Sequence, residues 1–216
     1  MIRFLHCITL AVLLMALSLA SAADDSDKPL NWRVLEAAKR LDAVQTRALV
    51  EAGAAVNSRD RNGETPLMLW VKGQNAEMVA WLIQKGADVN QEALNQSTPL
   101  MAAAYAGNAD VMRLLLDAGA DVSRVDQVSK SAMIYAAAQG QAEAVKLLLD
   151  RGVDANRTYA HGLTALMWAA GYGKTECVKV LLERHADPKL RDDRGKSAAD
   201  IAREQGHNEV VAMLKQ

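Results

Sequence analysis

Cysteine, net charge and aromatic bulk are all scarce in this 216-residue chain. There are two cysteines, Cys7 and Cys177. If the N-terminal segment is removed, Cys177 has no partner, so an internal disulfide framework is excluded and the fold must stand on packing. Cys177 falls in the apolar run Cys177-Val178-Lys179-Val180-Leu181-Leu182 and reads as a small buried hydrophobe rather than a reactive thiol. The formal charge is −1 with the signs well mixed. That excludes the basic stripe of a nucleic-acid binder and the long like-charge blocks of interaction tails. Aromatics make up 4% of the chain, with a single Phe, yet half of all residues are apolar. The apolar content is therefore mostly Ala, Leu, Val and Met, which suits short helices packed closely.

Catalytic signatures are missing too. No nucleophile elbow, glycine-rich phosphate loop or paired-carboxylate motif appears. Beyond His6 the histidines are His161, His185 and His207, without metal-ligand spacing. Cys177 and His185 lie eight residues apart, which on a helix is roughly 12 Å, too far for a nucleophile and its base. The expectation is a non-catalytic protein with no cofactor and no metal.

Residues 1–22 have the three parts of a secretory signal: Arg3 at a positive start, an apolar stretch from Ile8 to Leu19, and small residues Ala20-Ser21-Ala22. Cleavage is expected after Ala22. The alternative is a retained anchor, since Phe4 to Ala23 is about long enough to span a bilayer. With cleavage, no membrane span is expected. Cys7 lacks the preceding small residues of a lipoprotein signal. Residues 23–30 are polar and patternless, and read as a flexible lead-in.

What is present is a repeat of 33 residues. Thr65-Pro66-Leu67-Met68 returns as Thr98-Pro99-Leu100-Met101, Ser131-Ala132-Met133-Ile134, Thr164-Ala165-Leu166-Met167 and, weakly, Ser197-Ala198-Ala199-Asp200. Gly86-Ala87-Asp88-Val89-Asn90 returns as Gly119-Ala120-Asp121-Val122-Ser123 and Gly152-Val153-Asp154-Ala155-Asn156. Such a period means stacked supersecondary units. In the unit 60–92, Asp60-Arg61-Asn62-Gly63 is turn chemistry. Thr65 caps a first helix that begins with Pro66. Gly73-Gln74-Asn75 break it, a second helix runs from about Ala76 to Lys85, and Gly86 is its left-handed cap. Helices this short need their neighbours for stability. His185 stands where the other units have this glycine, and Gln96 and Ser129 replace the turn glycine Gly63.

The pattern Asp-x-x-Gly-x-Thr-Pro-Leu, a helix pair ending in Leu-Leu, then Gly-Ala-Asp-Val-Asn resembles the ankyrin repeat. The resemblance covers about Trp32 to Gln216. It implies an all-α solenoid of about six stacked helix-turn-helix units joined by β-hairpin-like turns. The units are an N-terminal cap at 31–59, repeats at 60–92, 93–125, 126–158 and 159–191, and a truncated C-terminal cap at 192–216. The first pair carries a charged side: Arg33, Glu36, Lys39, Arg40 and Asp42. Where ankyrin repeats usually have His after Thr-Pro-Leu, this chain has Met68, Met101, Ile134, Met167 and Asp200, so an apolar seam is expected in place of a polar one. Met at that place, as in Thr164 to Ala170, resembles bacterial members of the family.

The resemblance further implies binding of another protein through a concave groove, built from turn tips and first helices. Candidate contact residues are Arg61, Asn62, Leu94, Asn95, Tyr105, Val128, His161, Leu163, Tyr172 and Arg194. Glu64, Ser97, Lys130 and Lys196 share the turn tips, and Lys72, Gln139 and Glu204 the first-helix ends. Together with the signal, this points to an exported protein, periplasmic or secreted. It is expected to be monomeric and to act on another envelope protein as scaffold, chaperone-like partner or inhibitor. Exported bacterial ankyrin proteins linked to stress defence or effector neutralisation are the implied relatives. The alternatives are a secreted effector acting on host proteins, and a ligand-binding protein or enzyme using the groove. Intact-mass measurement of protein exported in its native host is expected to give a chain beginning at Ala23; a mass that includes residues 1–22 would establish the anchor.

Overall fold

The computed structural model describes residues 27–215, all helix and turn with no strand among them. The expected signal segment and its cleavage point lie outside the described residues. The chain divides into two compact units at Ala55/Val56. The first holds α1 (Leu30–Lys39) and α2 (Ala43–Glu51), packed on each other. Asp42 caps α2 by accepting the Gln45 N–H at 2.9 Å. Val34, Leu35, Ala37, Ala38 and Leu49 are buried. Lys39 and Glu36 pair at 3.0 Å on the charged side.

The second unit is five helix pairs: α3 (Pro66–Lys72) with α4 (Ala76–Gln84), α5 (Pro99–Ala106) with α6 (Ala109–Asp117), α7 (Ala132–Gln139) with α8 (Ala142–Asp150), α9 (Ala165–Gly171) with α10 (Thr175–Glu183), and α11 (Ala198–Glu204) with α12 (Asn208–Met213). Each first helix starts on a hydroxyl cap. Thr65, Thr98, Ser131, Thr164 and Ser197 accept the backbone N–H three residues on, at 3.2–3.4 Å. First helices pack on neighbouring first helices and second on second, giving two layers. Between the layers lie columns spaced by the repeat. Leu82, Leu115, Leu148 and Leu181 are all 0% exposed, and Leu67, Leu100, Met133 and Leu166 are no more than 1% exposed. Met68, Met101, Ile134 and Met167 are also buried, forming the expected apolar seam. Asp200, at the same register, instead closes a capping box with Ser197, and hydrogen bonds from Ser197 hold its carboxyl well below the usual carboxylate range.

His185 takes the left-handed conformation expected of it, with φ 64°, matching 87°, 88° and 83° at Gly86, Gly119 and Gly152. A side chain there is strained relative to glycine.

Successive loops are laced by two kinds of rung. Asn57, Asn90 and Asn156 each donate to the carbonyl at the next helix end (Gly86, Gly119, His185) and accept the N–H two residues beyond it. At the turn tips, Leu94 N–H donates to Asn62 O, Gln127 N–H to Asn95 O, and Asp193 N–H to His161 O, at 2.8–3.1 Å. Both rungs are missing between loop 119–130 and loop 152–163 among the described residues. Ser123 stands where the asparagines stand, and its short hydroxyl bonds back to Asp121 at 2.6 Å instead of reaching across. The 152–163 turn also has two consecutive left-handed residues, His161 and Gly162, where the other turns have one. The stack therefore has one loosely laced seam.

Three substitutions test this packing in urea melts. Leu115→Ala is expected to cost about 2–5 kcal/mol, because its site is fully buried. His185→Gly is expected to stabilise by up to about 1 kcal/mol by relieving the left-handed strain. Ser123→Asn is expected to stabilise by about 1 kcal/mol by restoring the missing side-chain rung.

Candidate functional site

The repeat sorts exposed residues into rows. The fourth residue of each first helix is Leu69, Ala102, Tyr135, Trp168 or Ile201. The seventh is Lys72, Tyr105, Ala138, Gly171 or Glu204, one helical turn on and so on the same face. The residue just before each helix cap is Glu64, Ser97, Lys130, Leu163 or Lys196. These rows form the face made by turn tips and first helices.

On that face four aromatic residues are gathered. Tyr105 meets Tyr135 edge to face, with ring centres 5.9 Å apart. Trp168 and Tyr172 lie parallel at 6.0 Å. Between the two pairs stands Lys130, its ammonium 4.8 Å from the Trp168 ring centre and 5.8 Å from that of Tyr135. The row thus runs across α5, α7 and α9. Beside Tyr105 a hollow of about 550 Å³ opens, lined mainly by Met101, Ala102, Ala106 and the two tyrosine rings, with Lys72, Gln74 and Ser97 at its edge. A second, of about 290 Å³, is lined by Leu163, Met167, Trp168, Tyr172, Arg194 and Ile201.

Asp126 fixes the middle of the row. The residue is 6% exposed. One oxygen accepts the backbone N–H groups of Val128 and Lys130, and the other accepts the Tyr135 hydroxyl. Burial, reinforced by this bond and the neighbouring negative charge, raises the Tyr135 phenol above its ordinary value. Tyr135 is therefore a neutral, oriented ring at any physiological pH.

The sequence-derived candidates fall into groups. Leu94, Tyr105, Val128 and Tyr172 are 53–64% exposed. Tyr105 lines the larger hollow, while Tyr172, Leu163 and Arg194 line the second. Leu163 is half-buried, so part of it serves the fold. His161, Leu163 and Arg194 meet at a third hollow with Asp192 and Asp193. The Arg194 guanidinium is tied to Asp192 at 2.6 Å. Arg61, Asn62, Asn95, Leu94 and Val128 are exposed at the turn tips and line none of these hollows. Tyr172 stands one place beyond strict register, which assigns Gly171 to its row, but it reaches the face by stacking back on Trp168. Tyr135 and Trp168 were not among the sequence-derived candidates. Their signal was the step of 33 residues from Leu69 through Ala102, combined with three- and four-residue helical spacing.

Other reactive groups lie apart from this face or are inert. Cys177 is fully buried, and burial pushes its thiol up to about 11. Among the described residues, no three His, Cys, Asp or Glu side chains converge as a metal site. Among the same residues, no helix is long and apolar enough to cross a membrane.

The family model for ankyrin repeats matches three overlapping stretches, residues 34–126, 92–159 and 133–216. The solved structure of EF0377, an ankyrin repeat protein, is 30% identical, with a TM-score of 0.79 over 86% of this chain and 98% of that chain. No curated protein sequence matches. Repeat, helix pairing and comparison agree: the chain belongs to the ankyrin repeat family.

Proposed function

We propose that this protein is an exported, non-catalytic binding module that holds another envelope protein against its first-helix face, as scaffold, chaperone-like partner or inhibitor. Ankyrin repeats are generally protein–protein interaction modules, and the N-terminal signal pattern supports export. The observation that carries the reading is the aromatic row. Three tyrosines and a tryptophan from a chain with nine aromatics stand on one face, none of them fully buried. Tyrosine and tryptophan in such positions are the common energetic anchors of interfaces, combining rigid apolar area with a polar tip. The chain leaves Tyr105 and Tyr172 exposed and Tyr135 and Trp168 half-buried, and a contiguous apolar patch of this kind marks an interaction surface.

The candidate contacts divide by expected role. Tyr105, Tyr172 and Leu163 are anchors. Leu94, Val128, Asn62, Asn95 and His161 widen the footprint along the turn tips. Arg61 and Arg194 are rim charges that affect association rate more than affinity.

The test is capture from an envelope extract, comparing the parent with the Tyr105→Ala/Tyr172→Ala double variant. Helicity is expected to stay unchanged, because both residues are more than half exposed. Affinity for the captured partner is expected to fall by at least about 2 kcal/mol. Equal capture by the two forms would move the interface to the second-helix face.

A further inference from the structure

Lys130 has a charge the repeat does not neutralise. In two sister units the residue before the helix cap is charged and meets an opposite charge eight residues on. Glu64 pairs with Lys72, and Lys196 pairs with Glu204 at 2.5 and 2.7 Å. At Lys130 the residue eight on is Ala138, and no carboxylate takes its place among the described residues. Asp126, on the same turn, is buried and directs its oxygens to two backbone N–H groups and the Tyr135 hydroxyl rather than to Lys130. Asp193 lines a separate hollow with His161 and Leu163. The ammonium is left between two ring faces, which attract it but do not cancel its charge.

Tyr135 joins this cation to the apolar hollow. One ring borders the 550 Å³ space beside Tyr105 and also lies under Lys130. A ligand filling the hollow with an aliphatic or aromatic side chain would bring its neighbouring residue to the ammonium. The apolar ring faces lower the local dielectric relative to an open surface, which strengthens the attraction for an arriving carboxylate. The other basic groups near the hollows, Lys72 and Arg194, are already paired. Asp126 is buried and turned toward the backbone and the Tyr135 hydroxyl, so the unpaired charge that faces solvent beside the aromatic row is the positive one of Lys130.

We propose that the first-helix face recognises an acidic peptide segment of its partner, in which a bulky apolar residue fills the hollow beside Tyr105 and an adjacent carboxylate pairs with Lys130. This rests on the groove reading above and names the chemistry of its partner. The partner carboxylate does at Lys130 what Glu204 does at Lys196.

The probe is a randomised displayed library of short peptides, selected on the intact protein. Each selected sequence is resynthesised in Glu and Gln forms at its acidic position and titrated by tryptophan fluorescence. Against the parent, the Glu form is expected to bind about tenfold tighter than the Gln form. That preference is expected to vanish in Lys130→Met, survive in Lys130→Arg, and shrink in Ala138→Glu, which supplies in cis the carboxylate the sister unit has. If Lys130→Met loses helicity, Ala138→Glu carries the same comparison with the lysine in place. Glu and Gln forms binding the parent equally, or a preference unchanged by Ala138→Glu, would overturn the acidic-segment proposal and leave the groove standing. Selection that yields no binder weakened by Tyr105→Ala would remove the groove reading and this proposal together.

Discussion

Burial of each helix pair against the next is the interaction on which this molecule depends. Helices of six to nine residues make up the second unit, and none is long enough to persist alone in water. Each gains its stability from leucine and methionine columns that exist only when neighbours are in place. The caps set where helices begin, and the left-handed residues set where they end. Neither would hold without the columns. The constraint is also geometric: a column forms only if each unit repeats the same rise and rotation, so the 33-residue step is kept even where individual residues drift.

That regularity builds the functional face. Positions facing the columns are uniform from unit to unit, while positions facing outward are free to vary. The rows Leu69, Ala102, Tyr135, Trp168, Ile201 and Glu64, Ser97, Lys130, Leu163, Lys196 show this freedom. Sameness produces the scaffold, and variation within a fixed register produces the site. Aromatic residues are rare in the chain, yet stacking turns residues a repeat apart into ring neighbours. A buried carboxylate, Asp126, orients one of those rings, its oxygens directed to the Tyr135 hydroxyl and to two backbone N–H groups.

The loosely laced seam and the aromatic row meet at one place. Loop 119–130 and loop 152–163 lack both rungs that join the other loops of the second unit. Across that junction Lys130 reaches Trp168, and Arg157 reaches the Ser123 carbonyl at 3.3 Å. Side chains, Lys130 from the groove and Arg157 from the loop, thus span a gap that backbone and asparagine bonds span elsewhere. Hydrogen bonding between loops is thinnest at this junction, under the centre of the binding face, where the packing of α7 on α9 holds the units together.

The sequence by itself determined the period, the caps, the apolar seam at Met68, Met101, Ile134 and Met167, and the strained His185, because each follows from local backbone chemistry or from burial that repeats. It also marked Tyr105 and Tyr172 as apolar where the fold permits polarity. The tertiary structure alone decided that Tyr135, Trp168 and Lys130 form one site, that Leu163 is half-buried, and that the rungs fail at Ser123. The reason is physical. Core positions answer to hydrophobicity, which composition and spacing reveal. The groove answers to distances between side chains from different units, set by rotamers, turn geometry and which charges are already paired. Lys130 reads in the sequence as one more surface lysine. Only the absence of a carboxylate at Ala138, and the two rings that close around it, make it the unpaired charge of the site.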